Sequence, residues 1–255
     1  MGIAINSLGI LIHEGLHGLL AKDSTINHGL SFLCGLPLLI SSTAYQVTHN
    51  DHHFELGRKL DYGTYKQHMD KKWMVWSAYL AQLSFGSILY ILLIPLLAFK
   101  SVNLKARCTI LLEYCLIAVF LFLLHKYLTY EELMTYWILP ACGMILLTNI
   151  RGLASHALGD YDDIYLSSRT IGCNKLTSVL FLHENYHLEH HLFPQVPSYN
   201  LKHTHNLIWR RLPRALYAKS YLHFLFGFFN ALVSRDLQPM GIVRPQSKFA
   251  SNNQI

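Results

Sequence analysis

Charged residues are scarce in this sequence. Only 14% of its 255 residues are Asp, Glu, Lys or Arg, whereas soluble domains average about 25%. Hydrophobic residues make up 52% of the chain, and several uncharged stretches approach the ~20 residues with which a helix crosses a bilayer. The composition therefore favours a lipid environment over that of an ordinary soluble domain.

Paired cysteines and linker-like tracts are also missing. The five cysteines form no C-x-x-C pair and mostly lie in apolar segments, where free cysteine behaves as a small hydrophobe. We therefore expect no disulfide framework and no secretory context. Without an internal repeat, a low-complexity tract or a linker, residues 1–255 are expected to form a single domain. Membrane sidedness explains the net charge of +6 better than nucleic acid does, so no nucleic-acid partner is expected.

The 16 histidines are unevenly distributed. Two groups share the spacing i, i+3, i+4 and a third has i, i+4, which places each group on one helix face; they are His13 and His17, then His49, His52 and His53, then His187, His190 and His191. Eight imidazoles are too many for one ion, since zinc takes three or four protein ligands. The spacing predicts two metal ions, with His156 in "NIRGLASHALGD" as a ninth ligand.

Five apolar segments predict an all-α, polytopic membrane protein; they span residues 1–12, 24–47, 73–99, 108–125 and 133–150. Because the histidines must converge on one membrane face, the chain must cross an even number of times between groups. We expect 73–99 and 108–125 to form a crossing hairpin. Segment 133–150, interrupted by Pro140 and Gly143, is then expected not to cross.

Segment 24–47 stands alone between the first two groups. We expect it to dip into the membrane and return, or to lie along the interface, and Gly29, Gly35 and Pro37 favour a broken helix. The apolar run 221–233 is too short to span and predicts an interfacial amphipathic helix. The 12 residues before His13 reach only about 18 Å, short of a bilayer core of about 30 Å, so the first span is expected to be truncated.

Charge sets the expected orientation. Three of the 21 Lys and Arg residues, namely Lys100, Lys105 and Arg107, fall on the loop between the two crossing segments, and the others fall on the histidine side. Since loops rich in Lys and Arg stay cytoplasmic, we expect an integral membrane protein whose histidine groups face the cytoplasm.

These motifs together resemble those of the membrane fatty acid desaturase superfamily. The order is H-x-x-x-H, H-x-x-H-H, a membrane hairpin, a lone histidine and "NYHLEHHLFPQVPSYNL", and it covers nearly the whole chain. The resemblance implies a non-haem di-iron centre on the cytoplasmic face. Its implied ligands are His13, His17, His49, His52, His53, His156, His187, His190 and His191, and Asn185 is a weaker candidate for a contact through water. No catalytic residue beyond these ligands and no binding site for another cofactor is implied.

The resemblance also implies a reaction. We expect an O₂-dependent oxidoreductase that introduces a double bond into an acyl chain, with a membrane lipid or an acyl-carrier conjugate as substrate. The family's fused electron-transfer domains are absent from this sequence, so a separate donor of the ferredoxin or cytochrome b5 type is expected. The alternative with the same metals is a hydroxylase or ketolase of fatty acids, alkanes or carotenoids.

A different hypothesis starts from "HEGLH" alone. H-E-x-x-H on a helix is the zinc-protease signature, with Glu14 as general base, and Asp61 in "KLDYG" is then a third ligand. This hypothesis gives no role to six histidines of the three groups. Other roles are expected to be minor: Glu14, Asp51, Glu184, Glu189 and His183 as side chains that orient ligands, and His203 and His205 as polar surface residues.

Overall fold

The structure, a computed structural model, describes residues 1–245. It is mostly helical, as the sequence predicts. Within these residues the α-helices are α1 Gly2–Leu16, α2 Ser24–Gly35, α3 Ser42–Phe54, α4 Lys72–Ser101, α5 Leu104–Tyr127, α6 Tyr130–Leu133, α7 Leu139–His156, α8 Lys175–Leu180, α9 His187–Leu192, α10 Ser198–Ile208 and α11 Tyr221–Ser234. Short 3-10 helices cover Leu36–Leu38, Lys66–His68 and Trp209–Arg211, and a π-helix covers Met134–Ile138.

A small sheet departs from the all-α prediction. Its strands are β1 Arg169–Ile171, β2 Ala215–Ala218 and β3 Ile242–Val243. β2 lies in the middle, parallel to β1 and antiparallel to β3. Strands of two to four residues are too short to show the alternating hydrophobic pattern from which strands are recognised.

The chain divides into two compact units. The first consists of Met1–Glu55 and Ala81–Asn149, and the second of Leu56–Leu80 and Ile150–Ile255. In the first unit, a buried cluster of Ile12, Leu16, Leu38 and Met144 brings together side chains from α1, the turn after α2 and α7.

α2 and α3 form a broken helix, as predicted. Their axes differ by 99°, and the chain turns between them through a 3-10 helix that contains Pro37 and through Leu39, whose φ is +60°. The indole Nε1 of Trp137 donates to the Pro37 carbonyl at 2.9 Å. Whether this pair enters the membrane and returns stays a prediction.

A buried carboxylate holds the start of α3. Glu113, in the middle of α5 and 3% exposed, accepts hydrogen bonds from Ser41 Oγ at 2.5 Å, Thr43 N at 3.1 Å and Thr43 Oγ1 at 3.0 Å. His28 Nε2 of α2 lies 3.0 Å from Oε1, the oxygen that also accepts from Thr43 Oγ1, whereas Ser41 Oγ and Thr43 N donate to Oε2. Ser41 is the N-cap of α3, so one acid joins α2, α3 and α5 at the bend.

Three helical stretches are long and apolar enough to cross a membrane: Lys72–Ser101, Leu104–Tyr127 and Tyr130–His156. The last of these corrects the prediction that Pro140 and Gly143 interrupt the segment, because the helix continues through both. Its π-helical stretch ends at Ile138, two residues before Pro140, so the hydrogen-bond ladder already shifts where proline has no N–H. The expectation that this segment does not cross stays a prediction from the sequence.

The second unit packs helices against the sheet. Leu188 of α9, Leu212 and Ala215 form one buried cluster. Phe224 and Phe228 of α11 are fully buried, whereas Leu222, Phe226 and Val233 on the same helix are 78%, 72% and 84% exposed. The predicted helix is therefore confirmed and has one outward apolar face, and its place at a membrane interface stays a prediction.

Candidate metal centre

Four histidines converge in the first unit. His13 and His17 come from α1, and His49 and His53 from α3; one ring nitrogen of each lies within 4.8 Å of those of the others. His17 Nε2 and His49 Nε2 lie 2.9 Å apart. His49 lies centrally, with ring centroids 4.5 Å from His13 and 4.6 Å from His53.

The helix spacing produces this cluster because residues four apart share a face. His13 and His17 therefore project from the last turn of α1, where a close approach to α2 is required. A Cβ on Gly15 would lie 1.8 Å from Ser31 Oγ, so only glycine fits there. The Gly15 carbonyl accepts a 2.7 Å hydrogen bond from Asn27 Nδ2, which fixes the end of α1 beside α2.

The nitrogen separations suit a metal ion. Metal to imidazole distances are about 2.0–2.1 Å, so two neighbouring ligands of one ion lie roughly 3 Å apart at angles near 90°. The 2.9 Å between the ring nitrogens of His17 and His49 matches this value. Imidazole suits Zn, Cu, Fe and Ni, so the donor set fits a transition metal without selecting one.

Three histidines converge in the second unit. His156, the last residue of α7, places Nε2 2.9 Å from His187 Nε2, and His191 Nε2 lies 3.2 Å from that same atom. These separations again match neighbouring ligands of one ion. His156 and His187 are both 8% exposed.

The outer ring nitrogens of two of these histidines face acceptors. His156 Nδ1 donates to the Ser167 carbonyl at 3.2 Å. His187 Nδ1 lies 3.4 Å from Glu184 Oε2, which also accepts from Arg151 Nη1 at 3.3 Å. Metal-bound histidine is commonly oriented in this way, because the outer partner leaves Nε2 as the donor atom. Glu184 therefore has the geometry expected of an orienting carboxylate.

His52 and His190 lie beside these groups. The ring centroid of His52 is 6.1 Å from His49 and 5.9 Å from His53. His190 is fully buried, with its centroid 5.5 Å from His187 and 5.6 Å from His191. Each unit by itself thus brings predicted ligands to close nitrogen separations, four in the first and three in the second, with His52 next to the first set and His190 next to the second.

Glu189 and His205 differ from what the sequence predicts. Glu189 is fully buried in the third histidine group, yet its oxygens accept from Thr170 Oγ1 at 2.7 Å and from His205 Nδ1 at 2.5 Å. His205, predicted as a surface residue, is therefore a half-buried partner of a buried acid. The two lie 16 residues apart, and no local spacing marks the pair.

His205→Ala is expected to lower thermal stability and to leave the histidine clusters in place. A buried carboxylate that loses a hydrogen-bond donor costs about 1–3 kcal/mol. Thermal unfolding of the purified protein in detergent measures this effect. The exposed His203, on the same helix, is the matched control, and equal midpoints for the His205→Ala and His203→Ala variants would contradict the assignment.

Asn185 and His183 have structural contacts. Asn185 Oδ1 accepts from Ser178 Oγ at 2.8 Å and its Nδ2 donates to Ile171 O at 2.9 Å, so both ends of the amide are engaged within the protein. His183 Nδ1 pairs with the same Ser178 hydroxyl at 2.8 Å. Burial, helped by nearby Lys202, lowers the pKa of His183, which favours its neutral form.

Asp61, the third ligand in the zinc-protease hypothesis, is engaged within its own loop. Asp61 is 1% exposed, and its carboxylate accepts from Gly57 N, Gly63 N and Thr64 Oγ1, each at 2.9 Å. These bonds organise its own loop. Glu14 is buried on α1, in the helix that supplies His13 and His17.

Two residues close to His156 have no sequence signal that marks them. Ser167 acts through its backbone carbonyl, and Arg169 is fully buried on β1. Burial lowers the pKa of Arg169 to about 10, so its guanidinium still carries a charge at neutral pH.

Glu113, in contrast, can be recognised in the sequence, since an acidic residue within an apolar helix is unusual.

Comparison with known families gives the decisive observation. The family model described as Fatty acid desaturase matches residues 1–224 of the chain. The chain belongs to the fatty acid desaturase family. This confirms the resemblance noted in the sequence, and the match extends from α1 into α11. No match is found among curated proteins.

Membership of the desaturase family establishes the general chemistry. Members are membrane-bound oxidoreductases known for a di-iron centre, and this desaturase-family chain has three helices able to cross a membrane. Its histidines provide a cluster with the donor atoms that a metal requires.

Proposed function

We propose that this protein is a di-iron fatty acyl desaturase, with His13, His17, His49, His52, His53, His156, His187, His190 and His191 as iron ligands. The observation that carries the proposal is the convergence of histidine Nε2 atoms to about 3 Å in each unit. Family membership supports iron as the metal. Histidine groups facing the cytoplasm are part of the proposal, supported by the distribution of Lys and Arg.

The overall reaction balances with O₂ as co-substrate. A –CH₂–CH₂– unit of a lipid or carrier-bound acyl chain, O₂, two electrons and two protons give –CH=CH– and two water molecules. The electrons come from a separate donor, for which ferredoxin or cytochrome b5 types are the candidates. The iron ions, when bound, supply the redox chemistry that removes hydrogen from an unactivated C–H bond, which no side-chain acid or base ionises.

The protein's own residues orient and shield the ligands. Ser167 O accepts the Nδ1 proton of His156, which leaves Nε2 available as donor. Glu184 Oε2 lies 3.4 Å from His187 Nδ1, where it can orient that ring, and is itself held by Arg151. His13, His49 and His156 are 5%, 6% and 8% exposed, so little water reaches their rings.

Expression in membranes, followed by lipid profiling with a competent electron donor, tests the proposal. New unsaturated chains, two hydrogens lighter than their precursors, are expected together with two irons per chain. A gain of oxygen would identify the hydroxylase or ketolase alternative. An iron-loaded protein that changes no lipid would refute desaturation, and zinc in place of iron would favour the protease hypothesis.

A further inference from the structure

The second unit contains a buried arginine without an acidic partner. Arg169 is fully buried, and within residues 1–245 no carboxylate lies at ion-pair distance from it. Its guanidinium stacks on the Phe224 ring, 4.9 Å from the centroid. Burying a charge is costly unless hydrogen bonds compensate, so this guanidinium depends on the groups that accept its hydrogen bonds.

Those partners are backbone carbonyls, mainly at the end of α7, together with Met240 O, which accepts from Nη2 at 3.0 Å. Nη1 donates to Ala154 O at 2.6 Å, and Nη2 donates to Ala157 O at 3.0 Å and more weakly to Leu158 O at 3.4 Å. The last carbonyls of a helix have no partner within it and carry partial negative charge. The arginine therefore acts as a cationic C-terminal cap, placed on the chain by β1 rather than by α7.

His156 lies between the carbonyls that this arginine holds. It is the last residue of α7, with Ala154 before it and Ala157 directly after it. The same strand region also fixes the ring, because Ser167, two residues before Arg169, accepts the Nδ1 proton. The hydroxyl of Tyr161 donates to the His156 carbonyl at 2.9 Å. Both the backbone around this histidine and its ring are thus held by hydrogen bonds.

We propose that Arg169 is a positioning residue for His156: it fixes the end of α7 so that the His156 ring presents Nε2 for metal binding. This inference rests on the proposed function, in which His156 is a ligand. The fork of the guanidinium matters, because one planar group reaches carbonyls on both sides of His156, whereas the ammonium of lysine is a point charge on a flexible stem.

A double-mutant cycle on metal affinity tests the inference. The full-length protein in detergent is stripped of metal and titrated anaerobically with Fe²⁺ or Co²⁺ against a competing chelator. Arg169→Lys is expected to weaken metal binding by roughly 10- to 100-fold, the usual loss when an outer partner of a ligand is removed. His156→Ala is expected to weaken it at least as much, and the double variant no further than His156→Ala alone.

Arg235→Lys is the matched control, since Arg235 is exposed at the end of α11, and its metal affinity is expected to equal that of the wild type. Additive losses in the double variant would overturn the inference, because Arg169 would then act independently of His156. An unchanged affinity in Arg169→Lys would also overturn it.

A measurement on the wild type covers the case in which Arg169→Lys does not fold. Hydrogen exchange of residues 154–158 is expected to stay slow when the metal is removed, because the hydrogen bonds from Arg169 to Ala154 O and Ala157 O involve no metal-binding atom. Exchange as fast as in the exposed loop that follows would overturn the inference.

The experiments distinguish a failure of the proposed desaturase function from a failure of the role inferred for Arg169. A wild type that binds neither Fe²⁺ nor Co²⁺ refutes both the proposed function and the role of Arg169. A wild type that binds metal but gives additive losses refutes only the role of Arg169. Metal binding without desaturation refutes the proposed desaturase activity. The double-mutant cycle of Arg169 and His156 then still tests whether Arg169 positions His156.

Discussion

Replacing His49 by alanine is expected to remove iron from the first histidine cluster and to abolish desaturation. His49 is 6% exposed and lies at the centre of its cluster, with Nε2 2.9 Å from His17 Nε2. Loss of an outer partner of a metal ligand already costs 10- to 100-fold, so loss of a ligand is expected to lower activity by more than roughly 100-fold. Iron per chain and the fraction of unsaturated product measure the two effects.

His203→Ala is the control, because His203 is an exposed histidine that belongs to none of the three groups. It is expected to retain iron and activity. Iron content equal to that of the wild type in His49→Ala would contradict the ligand assignment. His52→Ala and His190→Ala extend the test to the two predicted ligands that lie beside their clusters, and each is expected to lose iron and activity.

Removing the Glu113 carboxylate is expected to produce the largest loss of stability among single substitutions at the bend between α2 and α3. In Glu113→Leu, Ser41 Oγ, Thr43 N and His28 lose their shared acceptor. The His28 side chain is 42% exposed and can turn to solvent, but the Ser41 and Thr43 donors lose their buried acceptor, and a buried donor left unsatisfied costs about 1–3 kcal/mol. At roughly 2–4 °C per kcal/mol for a chain of this size, the thermal midpoint in detergent is expected to fall by roughly 2–12 °C.

A measurement of metal binding distinguishes the local effect of Glu113→Leu from a general loss of stability. Because Glu113 holds the start of α3, and α3 carries the second histidine group, Glu113→Leu is expected to weaken metal binding even well below its melting temperature. Glu113→Gln, which keeps one acceptor oxygen, is expected to be intermediate. The control is Glu131→Gln, an exposed acid at the start of α6. A midpoint for Glu113→Leu within 2 °C of the control, on the same scale, would contradict the role of the network.

The sequence was sufficient for the broken helix and the histidine faces. Pro37 has no backbone N–H and marked the break before α3, and the i, i+3, i+4 spacing showed which histidines share a face. The same reasoning was wrong for Pro140, which does not interrupt its helix. A π-helical stretch precedes it, and a sequence pattern does not reveal a shift in hydrogen-bond register. The three short strands fell below the length at which alternation is visible.

Contacts that depend on the tertiary fold were not predictable. Ser167 acts through its carbonyl, which every residue type possesses, and Arg169 contacts carbonyls rather than a complementary side chain. His205 meets Glu189 only because α10 returns toward α9. Local spacing identifies residues that share one helix face, whereas these partners come from different elements.

The placement of Glu113 also has a consequence for biosynthesis. The ribosome releases α2 and α3 long before α5, so the acceptor that stabilises their bend does not yet exist when they are first synthesised. We expect the nascent chain to expose Ser41 and Thr43 until α5 has been inserted. The second histidine group should therefore acquire its final shape only as a late event of membrane assembly, after residue 113 has been translated.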